Sequence, residues 1–123
     1  MEFPKKMQFK VGTKPTTVKV RCTKRPPQGW VRASDGKDRG MMEWESCHVW
    51  VERDDNYAVS LSTLLHEVLH VLMESENLLD DLNILPDNEE DIVGGLEKGL
   101  MTFLTQPEVA AIISRAASIE AGE

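Results

Sequence analysis

The stretch Ser62-Thr63-Leu64-Leu65-His66-Glu67-Val68-Leu69-His70-Val71-Leu72-Met73 constrains the chain more than any other. Leu64, Leu65, Val68, Leu69, Val71 and Leu72 make it apolar on nearly every side of a helix, so it is expected to be mostly buried. Yet it carries two imidazoles and a carboxylate, which are costly to bury without partners. His66 and His70 stand four apart, on one face and one turn apart, so their rings can converge on a single point. A metal there would satisfy both, because zinc accepts imidazole nitrogen at about 2.0–2.1 Å and prefers four ligands. Glu67 sits about 100° around the helix from His66. There it can flank an ion without binding it and take a proton from a water, the general-base role of an H-E-x-x-H helix. The competing picture, an amphipathic helix bearing two solvated histidines, conflicts with the apolar surround.

Two histidines make half a site. The chain has three, and the other, His48, lies before the motif in a strand-like segment; none follows His70. The remaining ligand is therefore a carboxylate, a cysteine or His48, and a glutamate from a second helix is a common solution. Glu89 and Glu90 open the only later strongly apolar helical pattern. By helical angle Glu89 falls nearer the centre of the Val93/Leu96/Leu100 stripe. Asp87-x-x-Glu90 also has the outline of a capping box, in which Glu90 would only satisfy a backbone N–H. On the residues alone both glutamates stay open.

The rest of the chain predicts an α+β fold with a small antiparallel or mixed sheet packed on the H-E-x-x-H helix and on the helix carrying the glutamate. Residues 7–11 and 16–23 read as strands, with Thr17 to Thr23 alternating apolar and polar, and with Gly12 and Pro15 between them the pair reads either as one hairpin or as one bent strand. Lys24 to Gly40 has turn and loop chemistry, with Trp30 expected to fold back onto the core. Met41 to Glu52 reads as the best strand, with His48 on it, and Arg53 to Asn56 as a turn. Ser60 or Ser62 is expected to cap the motif helix, which runs to about Asn77. An acidic connection, 78–88, leads to a second helix from Glu89 or Glu90 to about Thr105, with Val93, Leu96, Leu100, Phe103 and Leu104 as its stripe. Gly94, Gly95 and Gly99 weaken it and would let it approach another helix closely. Pro107 opens a third helix to about Ile119.

At 123 residues the chain is expected to be one domain: a basic strand and loop region 1–40, a catalytic core 41–108, and a C-terminal helix and tail 109–123. No export or membrane-spanning pattern is visible, and Cys22 and Cys47 are too few for a disulfide framework. Both points suggest a cytoplasmic protein with reduced thiols. The net charge of −7 divides into +8 over residues 1–40 (eleven Lys/Arg, three Asp/Glu) and −15 over the remainder (three and eighteen). Without interleaved aromatics or a recognition helix, the basic part reads as solvated or set against the acidic part rather than as a nucleic-acid surface.

Thr63 to His70, followed by Glu89-Glu90-Asp91-Ile92-Val93-Gly94-Gly95-Leu96-Glu97-Lys98-Gly99-Leu100, resembles the small phage- and prophage-encoded zinc metallopeptidases. These are minimal gluzincins akin to the catalytic core of the ImmA/IrrE peptidases. The resemblance spans roughly residues 40–108, and its specific part is H-E-x-x-H. It implies a strand, the motif helix, then a helix opening Glu-x-x-(Val/Ala), which Glu90-Asp91-Ile92-Val93 matches. Glu90 is thereby the implied third ligand, with His66 and His70, for Zn²⁺. The strand before the helix would be Met41–Val51, an edge on which an extended peptide substrate could add.

The expected activity is zinc-dependent peptide-bond hydrolysis. Water would take the open ligand position, Glu67 would serve as general base and then as proton donor to the leaving amine, and Tyr57 or His48 as candidate oxyanion donor. Acidic neighbours should accept from the two histidines. Two rival readings are a zinc-stabilised interaction protein with little turnover, and a latent enzyme whose Lys24–Gly40 loop or C-terminal tail fills the cleft.

Overall fold

The computed structural model describes residues 3–25, 40–43 and 47–122, of which 41–43 by their backbone. Within them the chain is α+β: a four-stranded mixed sheet and four helices. β1 (Lys6–Val11) and β2 (Thr16–Thr23) form an antiparallel hairpin, which decides between the hairpin and the bent strand that the sequence left open. Gly12 opens its turn at φ +95°, a conformation that glycine adopts without a steric penalty. Along β2, Val18, Val20 and Cys22 are buried, while Lys19 and Arg21 between them are exposed. Most of the Lys24–Gly40 loop, with Trp30, lies outside the described residues.

The segment read as one strand over Met41–Val51 is instead two. β3 (Gly40–Glu43) and β4 (His48–Glu52) pair antiparallel, with Gly40 opposite Val51 and Glu43 opposite His48. Cys47 enters β4 at φ +50°, a left-handed conformation that breaks an extended run. The even alternation over 41–52 suits two short arms as well as one long one, which is why the pattern concealed the reversal. The sheet order is β1-β2-β4-β3, with β2 and β4 parallel. β4 is therefore interior, and among the described residues the short β3 is an edge of the sheet.

The motif helix, α1 (Tyr57–Ser75), starts earlier than expected. Its N-cap is Asn56, whose Oδ1 accepts the Ala58 N–H at 2.9 Å. Ser60 does not cap it; its buried hydroxyl accepts the Asp54 N–H at 2.9 Å, tying the preceding turn to the helix. The far end of α1 is fastened to the β1–β2 turn, where Glu76 accepts from the Thr13 hydroxyl at 2.6 Å and from the Thr13 N–H at 2.5 Å. These bonds hold the Glu76 carboxyl below its usual range.

α1 is the middle layer of the molecule. One side packs on the sheet, where Val71, Leu61 and Leu64 meet Phe3, Val18, Val20, Cys22, Val49 and Val51. The other side, through Leu69, Met73, Leu65 and Leu72, meets Val93, Ile92 and Leu100 of α3 (Glu89–Leu104) and Leu78 and Leu79 of α2 (Leu78–Asp81). The apolar circumference of α1 is explained by these two contacts. The short α2 was not legible in the acidic connection. β2, from the basic region 1–40, supplies Val18, Val20 and Cys22 to the hydrophobic centre beneath α1.

Two expectations about α3 fail. Val93 is buried and Leu100 packs, but Leu96 and Phe103 are about half exposed. The glycines mediate no close approach: a Cβ at Gly94, Gly95 or Gly99 would meet nothing within 4 Å. α4 (Pro107–Glu120) has Pro107 at its first turn as expected, and Ile112, Ile113 and Ile119 on it are exposed. Because Gly95 and Gly99 occupy a helix interior with open space beside them, Gly95→Ala and Gly99→Ala should each raise stability by about 0.5–1 kcal/mol in thermal denaturation. A destabilisation would show that their backbone is constrained.

Candidate metal centre

On the α3 side of α1, His66 and His70 project together, their ring centroids 4.9 Å apart. Each ring is held from behind by a carboxylate of α3. His66 Nδ1 lies 2.8 Å from Glu97 Oε1, and His70 Nδ1 lies 2.8 Å from Glu89 Oε2. The Ser62 hydroxyl donates to the other oxygen of Glu97. An ionised carboxylate can only accept, so both Nδ1 atoms carry protons and donate, and a neutral ring then presents a bare Nε2 lone pair.

Those two lone pairs face each other. The Nε2 atoms are 3.3 Å apart, and Glu90 closes the triangle with Oε1 2.6 Å from His66 Nε2 and Oε2 2.9 Å from His70 Nε2. Four acceptor atoms thus converge with no donor among them, an arrangement that requires a cation, either a proton or a metal ion. His66 registers the demand: burial lowers its pKa, but the hydrogen bond to Glu97 and the charges of Glu90 and Glu67 outweigh it, and the net shift is upward.

The donor set fits zinc. With bonds of about 2.0–2.1 Å in a tetrahedron, neighbouring ligand atoms stand about 3.3 Å apart, which is the Nε2–Nε2 separation here. The donors offered by His66, His70 and Glu90 all lie within 4.8 Å of one another. Glu90 stands closer to the rings than a shared ligand sphere would have it and would retreat by roughly half an ångström. With its side chain 69% exposed it has room to do so, and the cluster is open to solvent on that side.

Glu67 belongs to the same turn but not to the cluster. It is buried, and its carboxyl lies against β3: a Cβ placed on Gly40 would stand 2.6 Å from Glu67 Oε1.

The structure therefore brings His66, His70 and Glu90 together with Glu67 beside them, and it separates the two glutamates that spacing left open. Glu90 faces the Nε2 atoms and is not spent on a capping box, while Glu89 orients His70. Glu97, which the sequence reading missed, was detectable as the residue two turns after Glu90 on the same face. His48 is not part of the cluster; it lines a groove on the sheet with Lys6, Gln8, Lys19 and Arg21. Tyr57, nine residues before His66 and so about 13 Å along the helix, packs edge-on against Phe3. Cys22 is in the core and Cys47 in the turn before β4, both free, with thiol pKa values raised by burial.

Comparison of the chain with protein-family models, with curated proteins and with solved structures finds no match.

Two measurements probe the site. Glu89→Gln and Glu97→Gln should each weaken zinc binding by about 10–100-fold in chelator competition, whereas unchanged affinity would show that the rings hold their tautomers unaided. In metal-free protein, a raised His66 pKa means that its contribution to folding is fully present below about pH 6.5 and is lost as pH climbs through the higher folded value. The thermal midpoint of chelated protein should fall over that rise, and His66→Ala should remove the dependence.

Proposed function

We propose that this protein is a zinc-dependent metallopeptidase of the minimal gluzincin kind, with His66, His70 and Glu90 as ligands and Glu67 as general base. The observation that carries the proposal is the convergence of the two Nε2 atoms and a carboxylate on one point, each ring braced from behind. A structural zinc site is closed by four protein ligands, whereas this one offers three among the described residues and is open to solvent at Glu90, which suits a catalytic ion. When bound, zinc would acidify a water to a pKa near 7 and polarise a carbonyl.

The residues of the chain divide the remaining work. Glu97 and Glu89 fix the tautomer and aim of the two imidazoles. Glu67 lies on the helix next to His66, and its burial beneath β3 keeps its carboxylate out of bulk water. In this reading it takes a proton from a water at the open position and returns it to the leaving amine. Among the described residues β3 is an edge of the sheet, so an extended peptide could add to it as a further strand. This edge is four residues long rather than the whole of Met41–Val51. With Tyr57 and His48 placed elsewhere, the oxyanion donor belongs to no residue named so far.

We take the substrate to be a peptide or an extended protein segment, and the setting to be cytoplasmic. No helix among the described residues is long and apolar enough to cross a membrane. A second reading, a zinc-stabilised protein that binds a partner with little turnover, draws on the exposed Ile112, Ile113 and Ile119 of α4.

One substitution separates the two. Glu67→Gln should retain zinc and the fold while hydrolysis of a peptide library falls by about 10²–10⁴-fold. A parent protein that cleaves nothing, together with a biological effect that survives Glu67→Gln, would favour the binding reading.

A further inference from the structure

We infer that Gly40 is a positioning residue for Glu67: the missing side chain at this point of β3 is what lets the carboxylate sit where it does. The inference rests on reading Glu67 as the general base, and adds a residue of a different element to that role.

Glycine inside a strand weakens it, and it often marks a place where something approaches the backbone closely. Gly40 is paired in register with Val51 of β4, and its φ is not in the left-handed region, so backbone conformation does not require glycine there. The neighbouring contact does. A Cβ at this position would stand 2.6 Å from Glu67 Oε1 and 3.0 Å from both Cδ and Cγ. Separations below about 3.5 Å between such atoms are repulsive.

The Glu67 side chain is softer than either backbone. β3 is held by its ladder to β4, and α1 is held on both sides, by the sheet core and by α3. What can move is the Glu67 side chain itself. A methyl group at position 40 would therefore leave the fold and the zinc ligands in place and swing the carboxylate away from its present position. Gly40 differs in this from Gly94, Gly95 and Gly99, whose missing side chains face open space.

The test uses the full-length protein with zinc and compares Gly40→Ala, Glu67→Ala and the double variant. Zinc stoichiometry should be one per chain in all of them. In Gly40→Ala, kcat on a cleaved peptide should fall at least tenfold with KM within about twofold, the pattern of an interaction made only in the transition state. Independently of activity, the change in thermal midpoint caused by Gly40→Ala should be lower by about 3–6 °C with Glu67 present than in the Glu67→Ala background, where the contact is gone. Equal changes in both backgrounds, or loss of zinc from Gly40→Ala, would overturn the inference. If the parent hydrolyses no peptide, the peptidase reading fails by itself, and the thermal comparison still decides whether Gly40 places Glu67.

Discussion

Everything in this molecule turns on a helix that is buried on two sides and still carries imidazoles. α1 cannot present a fully apolar surface to both neighbours, because His66 and His70 are on it. It cannot hide them unpartnered either, since a polar group cut off from water without a hydrogen bond costs several kcal/mol on a cyclohexane-type scale. α3 resolves the conflict. Its first turn and its middle bring Glu89, Glu90 and Glu97 to the two rings, while Val93, Ile92 and Leu100 beside them complete the apolar contact. The packing of α3 on α1 and the assembly of the cluster are one event.

That resolution creates an electrostatic surplus. Three carboxylates surround two imidazoles whose Nδ1 protons are already committed, and Glu67 adds a fourth negative charge nearby. A proton relieves part of the surplus, as the upward shift of His66 indicates. A divalent ion would relieve more of it without disturbing either Nδ1 bond, because the ion takes the Nε2 side. Proton and metal would therefore compete for the Nε2 lone pair of His66, and the Glu97 bond that would make this ring a good ligand also raises its affinity for a proton.

How far this was legible from the sequence depends on whether the signal was local. Spacing four on a helix is local, so His66 and His70 could be placed together with Glu67 beside them. The strand character of β1 and β2 and the boundaries of α3 and α4 were likewise written in alternation, in the glutamates at 89 and 90, and in Pro107, while the reversal between β1 and β2 was not. The division of labour between Glu89 and Glu90 was not, because it depends on how α3 is rotated against α1, which no pattern within α3 records. Met41–Val51 misled for a different reason: period-two alternation continues unbroken through a reversal, and a positive φ at Cys47 has no signature in a residue that is neither glycine nor asparagine. Asn56 was passed over as a cap because the serines that follow it stand nearer the apolar run, though Ser60 is occupied with Asp54.

The reversal at Cys47 has a consequence for the site that one long strand would not have had. A continuous Met41–Val51 strand would have formed the border of the sheet with its whole length, leaving no reason for any particular residue to lie over the motif helix. Folding it back makes β4 an interior strand, whose Val49 and Val51 anchor the sheet to α1. It also leaves the first residue of β3, Gly40, lying against Glu67. Core strand and site-covering edge are thus made from adjacent segments of chain. The sheet that supports the helix from below and the backbone that borders its carboxylate are linked through the ladder Gly40–Val51 to Glu43–His48. A slip of β3 by one residue on β4 would move Gly40 off Glu67 while β4 kept its place through its parallel ladder to β2, so the register of the β3–β4 pair sets the surroundings of the carboxylate.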